Sequence, residues 1–460
     1  MPPKSPSRSR RIERTCATTE PGRKRPGLGR RSGQLAAYQI LTGALYGVLW
    51  LTYSLVPPLK KSLGPRLAMD LPERAGGPLI HFHAASVGEI SSLAPVVREV
   101  SREVPGYGLL VTTMTPTGRD RAAALITGAD VRLVPYDFRS AMRRFMNRMR
   151  PSVIVVTETE LWPNLLREAS RLEIPLVLVN GRISVKSIGR YRRVGALVRS
   201  MLSQFDLMLM RSDEDAGRAL SLGADPDRVR VVGNTKYDVL AGPVPAEQRR
   251  ALRKRLGISD AAPVVMLGSA RQGESEILLE AIRAESMETL PTVILAPRHL
   301  ENVRLIEAVC RRSGYGVALS AGAGESGRAP EAGEAGGAGR AIIVNEMGRL
   351  LEYYAISDIG VVGGTFKPHG GHNPLEPASQ GAVVVVGPHR DNIADDMDYL
   401  ISRDAAVITD EPGLGAVIRG LLFDPARMSA LAERAAGAVQ DKKGASRRSI
   451  EAMKARGLLG

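Results

Sequence analysis

The chain has 460 residues, 44% of them apolar and 24% charged, a globular composition long enough for two or three separate cores. Its two cysteines, Cys16 and Cys310, exclude a disulfide framework and a Cys-based zinc site, and with aromatic residues at only 4% any core must come from Val, Leu, Ile and Ala. The net charge of +15 is concentrated at the start, where residues 1–31 hold ten Lys or Arg against two Glu. No interleaved aromatics, zinc-finger spacing or RNA-binding sheet motif accompanies them, so no nucleic-acid partner is expected.

Residues 1–31, rich in Arg, Ser, Pro and Gly, read as a disordered basic arm, either a solvated tail or a contact for anionic headgroups. Residues 32–59 read as a membrane anchor helix. The run LAAYQILTGALYGVLWLTYSLVPP carries no charged side chain and is long enough to span a bilayer, while Gln39, Thr42 and Thr52 equally suit a helix lying at the interface. Lys60, Lys61 and Arg66 follow, so both flanks are basic and orientation is left open.

From Leu79 short apolar runs alternate with helical stretches. LIHFHAA, GLLVTTM, VRLVPYD, SVIVVTE, PLVLVNG, DLMLMRS and RVRVVGN read as buried parallel strands, with EISSLAPVVREVSREV and AMRRFMNRMR as helices between them. A linker near 240–248 separates these from PVVMLGS, TVILAPR, AIIVNEM, DIGVVGGT and AVVVVGP. The expected architecture is therefore α/β: two Rossmann-like domains, 60–240 and 241–460, facing a cleft in the GT-B manner, with residues 321–340 a flexible insertion in the second.

Candidate site residues cluster where strands end. In Ser86-Val87-Gly88-Glu89 the carboxylate stands at a helix start, where it can serve as a general base or simply complement the helix dipole. Thr112–Gly118 reads as caps. Glu158 and Glu160 leave a strand two residues apart; they can polarise a hydroxyl or form ion pairs with nearby arginines, and no His or Asp at ligand spacing makes them a metal site. In the second half Lys236, the turn Gly268–Glu274 with Ser269 and Arg271, Arg298, Gly363-Gly364, and His372-Asn373-Pro374-Leu375-Glu376 put cations, glycines and an acid at successive strand ends. That pattern fits an anionic nucleotide, with the Glu376 carboxylate placed for a ribose hydroxyl pair. All six histidines are expected in strand-end turns.

The segments FHAASVGE, VTTMTPTGRD, TETELWPNLL, VVGNTKYD, LGSARQGE, APRH and VVGGTFKPHGGHNPLEPASQGAVVVVGPH resemble, in order and over roughly residues 35–455, the Kdo (3-deoxy-D-manno-octulosonic acid) transferases of lipopolysaccharide assembly. The resemblance implies an inverting glycosyltransferase at the cytoplasmic face of the cell inner membrane, moving Kdo from CMP-Kdo to a lipid A precursor such as lipid IVA without metal or other cofactor. It assigns Glu89 as the general base, and Ser269, Arg298, Gly363, Gly364, Asn373 and Glu376 to CMP binding, with Lys236 and Arg271 as additions. Ser86, Arg182 and Arg192 are expected to meet the acceptor, Lys186 and Arg190 beside them. A GT-B transferase with a UDP-sugar donor is the nearest alternative. Ala270-Arg271 replaces a common Thr-His, and Arg349 stands where an acid is common.

Overall fold

The computed structural model describes residues 33–72, 76–240, 242–321 and 339–460. The basic arm lies outside them, as does all but the margins of the 321–340 insertion. The chain divides into two compact units, 1–232 with 446–460 and 233–445.

The first unit is built on β1 (Leu79–His83), β2 (Gly108–Thr113), β3 (Asp130–Leu133), β4 (Val153–Thr157), β5 (Leu176–Gly181), β6 (Leu207–Met210) and β7 (Val229–Val231). They pair in the order β3-β2-β1-β4-β5-β6-β7, every pairing parallel. Strands buried on both faces must be apolar throughout, which accounts for Val153–Val156. Alternate residues feed two cores: Ile154 and Val156 on one face, Val153 and Val155 on the other. The pattern breaks at His81 and His83, which lie inside β1 rather than in the turn after it. Both are fully buried, and their rings share Thr112 Oγ1 at 2.8 and 3.0 Å.

The second unit repeats the plan with β8 (Val264–Ala270), β9 (Thr292–Pro297), β10 (Gly316–Leu319), β11 (Arg340–Ile343), β12 (Ile359–Val362), β13 (Val383–Val386) and β14 (Ala406–Ile408). Their order is β10-β11-β9-β8-β12-β13-β14, again all parallel. The edge strands β10 and β14, four and three residues long and partly exposed, escape sequence reading because they lack the continuous apolar run of a central strand. In each sheet the direction of winding reverses beside the first strand, between β1 and β4 and between β8 and β12. Ligands of doubly wound sheets bind at such switch points, outside the carboxyl ends of the strands.

Residues 446–460, read from sequence as the tail of the second domain, belong to the first unit. The reason is packing: the helix Ala445–Ala455 and the residues after it bury Ile450, Met453 and Leu459 in the same core as Ile80, Phe82 and Val97. Both tryptophans, Trp50 and Trp162, also lie in this unit, so their fluorescence reports on it alone. Met453→Ala should therefore destabilise the first unit by about 2–5 kcal/mol, the cost of emptying a fully buried methionine site, read as a lower denaturant midpoint by tryptophan emission. An unchanged midpoint would mean the C-terminal helix does not seal that core.

Candidate active site

At the end of β1 the chain turns through Ala84-Ala85 into the helix Val87–Glu103, and Ser86 caps it. Ser86 Oγ accepts from the Glu89 N–H at 3.3 Å. The Glu89 carboxylate reaches back, accepting from the Ala85 N–H at 2.9 Å and from the Ser86 hydroxyl at 2.9 Å. This is a variant of the capping box in which the backbone donor is the N–H of Ala85, one residue before the cap. It holds the half-buried carboxylate at the switch point, and each carboxylate oxygen keeps a lone pair beyond the bond it accepts.

Two further acids stand beside it. β4 ends at Thr157, and Glu158 turns left-handed (φ 53°), so the strand does not continue through Glu160. Burial, then the Glu89 charge, raises the Glu158 carboxyl above the ordinary range, against the lowering influence of Arg182 and Arg211. Glu160 is pushed up to about 7 by burial first and the Glu89 charge second, although its Oε2 accepts from Trp162 Nε1 at 2.6 Å. On its inner side lies the His83 ring, Nε2 at 3.9 Å, which burial pulls down to about 4 and so keeps neutral near pH 7. Three carboxyl groups thus crowd the ends of β1 and β4, and their mutual repulsion favours keeping a proton among them.

Arg182 follows β5 and is tied into the cluster through its backbone, its N–H 3.5 Å from the Glu158 carbonyl. The next residue is pinned by a buried hub: Asp215 accepts from the Ile183 N–H (2.8 Å), Arg211 Nε (2.6 Å) and Arg218 (2.9 Å). Burial alone would raise that carboxyl; the Arg218 and Arg211 guanidiniums and the Ile183 N–H outweigh it and hold it low. Arg192 lies on the helix Val185–Arg193, exposed with its neighbour Arg193.

In the second unit the decisive residue is one that sequence reasoning passed over. Glu274, 2% exposed, accepts from three backbone N–H groups: Arg271 (2.8 Å), Gly364 (2.8 Å) and Phe366 (3.1 Å). One carboxylate therefore locks the turn after β8 onto the turn after β12. The contact is so close that a Cβ on Gly363 would lie 2.5 Å from the Ser269 carbonyl oxygen, and Gly364 (φ 75°) and Ser269 (φ 56°) both turn left-handed there. The signal was available in the sequence, since an acid in the first helical turn after a strand end occurs at Glu89 as well.

Cations gather over this locked pair of turns. Arg271 Nε lies 3.3 Å from His372 Nε2. Burial, then the positive charges of Arg271 and Arg298 and the nearby His369 and His299, pull the His372 imidazole down to about 4. Beside them Asn373 Nδ2 donates to Glu376 Oε1 at 3.4 Å, and Glu376, raised by burial, is drawn back by Asn373 and by the Arg298 charge. Ser269, Arg271, Arg298, Gly363, Gly364, Asn373 and Glu376 are therefore brought together as one group. Lys236 has a different environment: its ammonium pairs with the Asp396 carboxylate at 2.8 Å, and Tyr237 donates to the same group at 2.7 Å. Arg349 is likewise consumed locally, by Glu346 and Glu352.

Residues 61–239 match the model of a family described as 3-deoxy-D-manno-octulosonic-acid transferase (kdotransferase). A 3-deoxy-D-manno-octulosonic acid transferase from Bordetella pertussis is 33% identical over 398 residues, 83% of this chain and 88% of that protein. One from Chlamydophila psittaci is 30% identical over 400 residues, 86% of this chain and 89% of that protein. The chain belongs to the 3-deoxy-D-manno-octulosonic acid transferase family. In fold it is similar to a glycosyltransferase from Rickettsia africae, with a TM-score of 0.54 at 10% identity, over 83% of this chain and 98% of that one.

For this Kdo transferase family member the raised Glu160 carboxyl has a measurable consequence. Its ordinary value near 4.5 rises to about 7 in the folded chain, so the folded state holds a proton that the unfolded state releases. Its contribution to stability is full below pH 4.5 and is lost as pH rises through 7. Glu160→Gln, which cannot ionise, should remove this part of the decline in first-unit stability between about pH 4.5 and 7, read by tryptophan emission in denaturant at several pH values. An unaltered slope would mean that Glu160 ionises freely.

Proposed function

We propose that the chain transfers Kdo from CMP-Kdo to a hydroxyl of a lipid A precursor, with inversion at the anomeric carbon, at the cytoplasmic face of the inner membrane. Family membership supports the transfer. The observation that carries the donor assignment is the set of cations over the turns locked by Glu274, since cations and oriented backbone N–H groups are what a nucleotide phosphate needs.

In this reading Arg271 and Arg298 take the cytidylate phosphate, together with the backbone at Ser269, Gly363 and Gly364. Asn373 orients Glu376 towards the ribose hydroxyls. Lys236, bound to Asp396, helps at the margin of the nucleotide site. Ser86, Arg182 and Arg192 meet the acceptor, the two arginines suited to its phosphates. Glu89 then takes the proton of the acceptor hydroxyl as that oxygen attacks the anomeric carbon. The bond from carbon to phosphate oxygen breaks on the opposite side, and CMP leaves with the electron pair. Charge grows on the phosphate as it departs, so Arg271 and Arg298 hold the transition state more tightly than the ground state; one well-placed donor of this kind is worth about 2.7–4 kcal/mol. The carboxyls of Glu158 and Glu160, raised by burial and by the Glu89 charge, stand beside the base and complete the acid cluster that meets the acceptor hydroxyl.

Incubating the purified chain with CMP-Kdo and a tetraacyl lipid A precursor should add whole Kdo increments to the lipid by mass spectrometry and release an equal amount of CMP. A lipid of unchanged mass would refute the transfer. Donor choice is read separately: CMP should raise the melting temperature by mass action while UDP leaves it unchanged. Stabilisation by UDP alone would favour a UDP-sugar transferase.

A further inference from the structure

The N-terminal helix Gly33–Leu55 is turned inside out relative to a helix on a water-soluble surface. Its more polar stripe faces the protein: Tyr38, Thr42, Tyr46 and Tyr53, with Leu35 and Leu49, are the residues covered by the first unit. Tyr38 donates to the half-buried Asp137 carboxylate at 2.8 Å, and Arg144 donates to the Tyr46 hydroxyl at 2.9 Å with its guanidinium 5.7 Å from that ring. Tyr46 also meets Phe138 edge-on at 5.7 Å. The opposite face is aliphatic and uncovered. Ile40, Leu41, Leu45, Val48, Leu51 and Leu55 are each between 52% and 74% exposed.

From Ser32 to Leu59 no residue is charged, and at the end of this stretch stand the exposed Lys60 and Lys61, with no acid before Asp70. An aliphatic stripe bordered by cations and free of acids complements an anionic lipid surface rather than water. The docked contacts also decide the orientation. They run from Leu35 to Tyr53, about 27 Å of helix at ~1.5 Å per residue, nearly the whole ~30 Å hydrocarbon thickness. A helix crossing the bilayer would have to drag Asp137 and Arg144 into hydrocarbon or abandon every one of these contacts.

We infer that the Gly33–Leu55 helix does not span the membrane but lies in the plane of its surface, docked on the first unit by its tyrosine stripe and embedded in lipid by its aliphatic one. The inference deepens the membrane location proposed above and is independent of the transfer chemistry. The first unit's sheet is thereby fixed to the lipid surface through Asp137, which accepts both the Tyr38 hydroxyl and the N–H groups of Asn164 and Leu165 at the start of the helix after β4.

The test places tryptophan at Leu41, Val48 and Leu55, one at a time, in the full chain with Trp50→Phe. Trp162 emission is subtracted from the Trp50→Phe parent. Each variant is bound to phosphatidylethanolamine–phosphatidylglycerol vesicles brominated near the top or the bottom of the acyl chains. An in-plane helix gives quenching at all three positions, agreeing within about twofold and stronger from shallow bromine. Deep quenching at Val48→Trp with shallow quenching at the other two would mean a span and overturn the inference, leaving membrane association intact. No quenching at any position would overturn both. As a second arm, Leu41→Asp with Val48→Asp should lower the vesicle-bound fraction in flotation at least tenfold with an unaltered circular dichroism spectrum; undiminished binding contradicts the inference.

Discussion

The carboxyl end of a parallel strand followed by a helix leaves unpaired backbone N–H groups, and in both units a glutamate in the first turn of that helix accepts from some of them. Glu89 does this after β1 and Glu274 after β8, each at the switch point of its sheet. The two are not equivalent. Glu274 is buried and holds three N–H groups, and removing a buried acceptor strands each donor at about 1–3 kcal/mol. It is a structural tie that fixes where the glycines and arginines of the proposed phosphate site stand. Glu89 holds one N–H and one hydroxyl, remains half-exposed, and has two more acids beside it. The same local device thus yields a fastening in one unit and a carboxylate with chemistry to spare in the other.

That difference gives the acid cluster its meaning. Burial and the Glu89 charge both raise Glu158 and Glu160, and the neutral imidazole of His83 behind Glu160 adds no compensating charge. A site that merely paired acids with arginines would lower its carboxyls, as the Arg211–Asp215–Arg218 hub does. Here the environment works in the opposite direction, an arrangement more common at functional sites than in structural ion-pair networks.

Much of this was legible in the sequence, because buried parallel strands advertise themselves as unbroken runs of Val, Leu and Ile. The central strands were readable on that basis, and the edge strands β3 and β7 from apolar residues that run on past them, as in VRLVPYD and RVRVVGN. β10 and β14 were not, since short edge strands bury only part of their length. Strand-end motifs likewise pointed to Ser269, Arg271, Arg298, Gly363, Gly364, Asn373 and Glu376, which the fold gathers into one group. What the linear pattern could not disclose was partnership. Lys236 looks like a free cation until Asp396, 160 residues away, is brought to it. The C-terminal helix changes units because Ile450 and Met453 fit a core whose other members, Leu459 apart, all lie at Val232 or earlier. Glu274 is an acid in a helix first turn until the three N–H groups it gathers are counted, and the tyrosines of the N-terminal helix gain direction only from Asp137 and Arg144.

The proposed transfer depends on the Glu89 carboxylate, and glutamine at that position isolates its charge. Glutamine serves a capping box as glutamate does, so Glu89→Gln should fold with the wild-type unfolding midpoint and keep its thermal stabilisation by CMP. The decisive measurement is the rate of Kdo addition by this variant under saturating CMP-Kdo and lipid. Loss of at least a hundredfold, within the usual range for removing a general base, is the expected result; turnover within a few-fold of the wild type would contradict the mechanism.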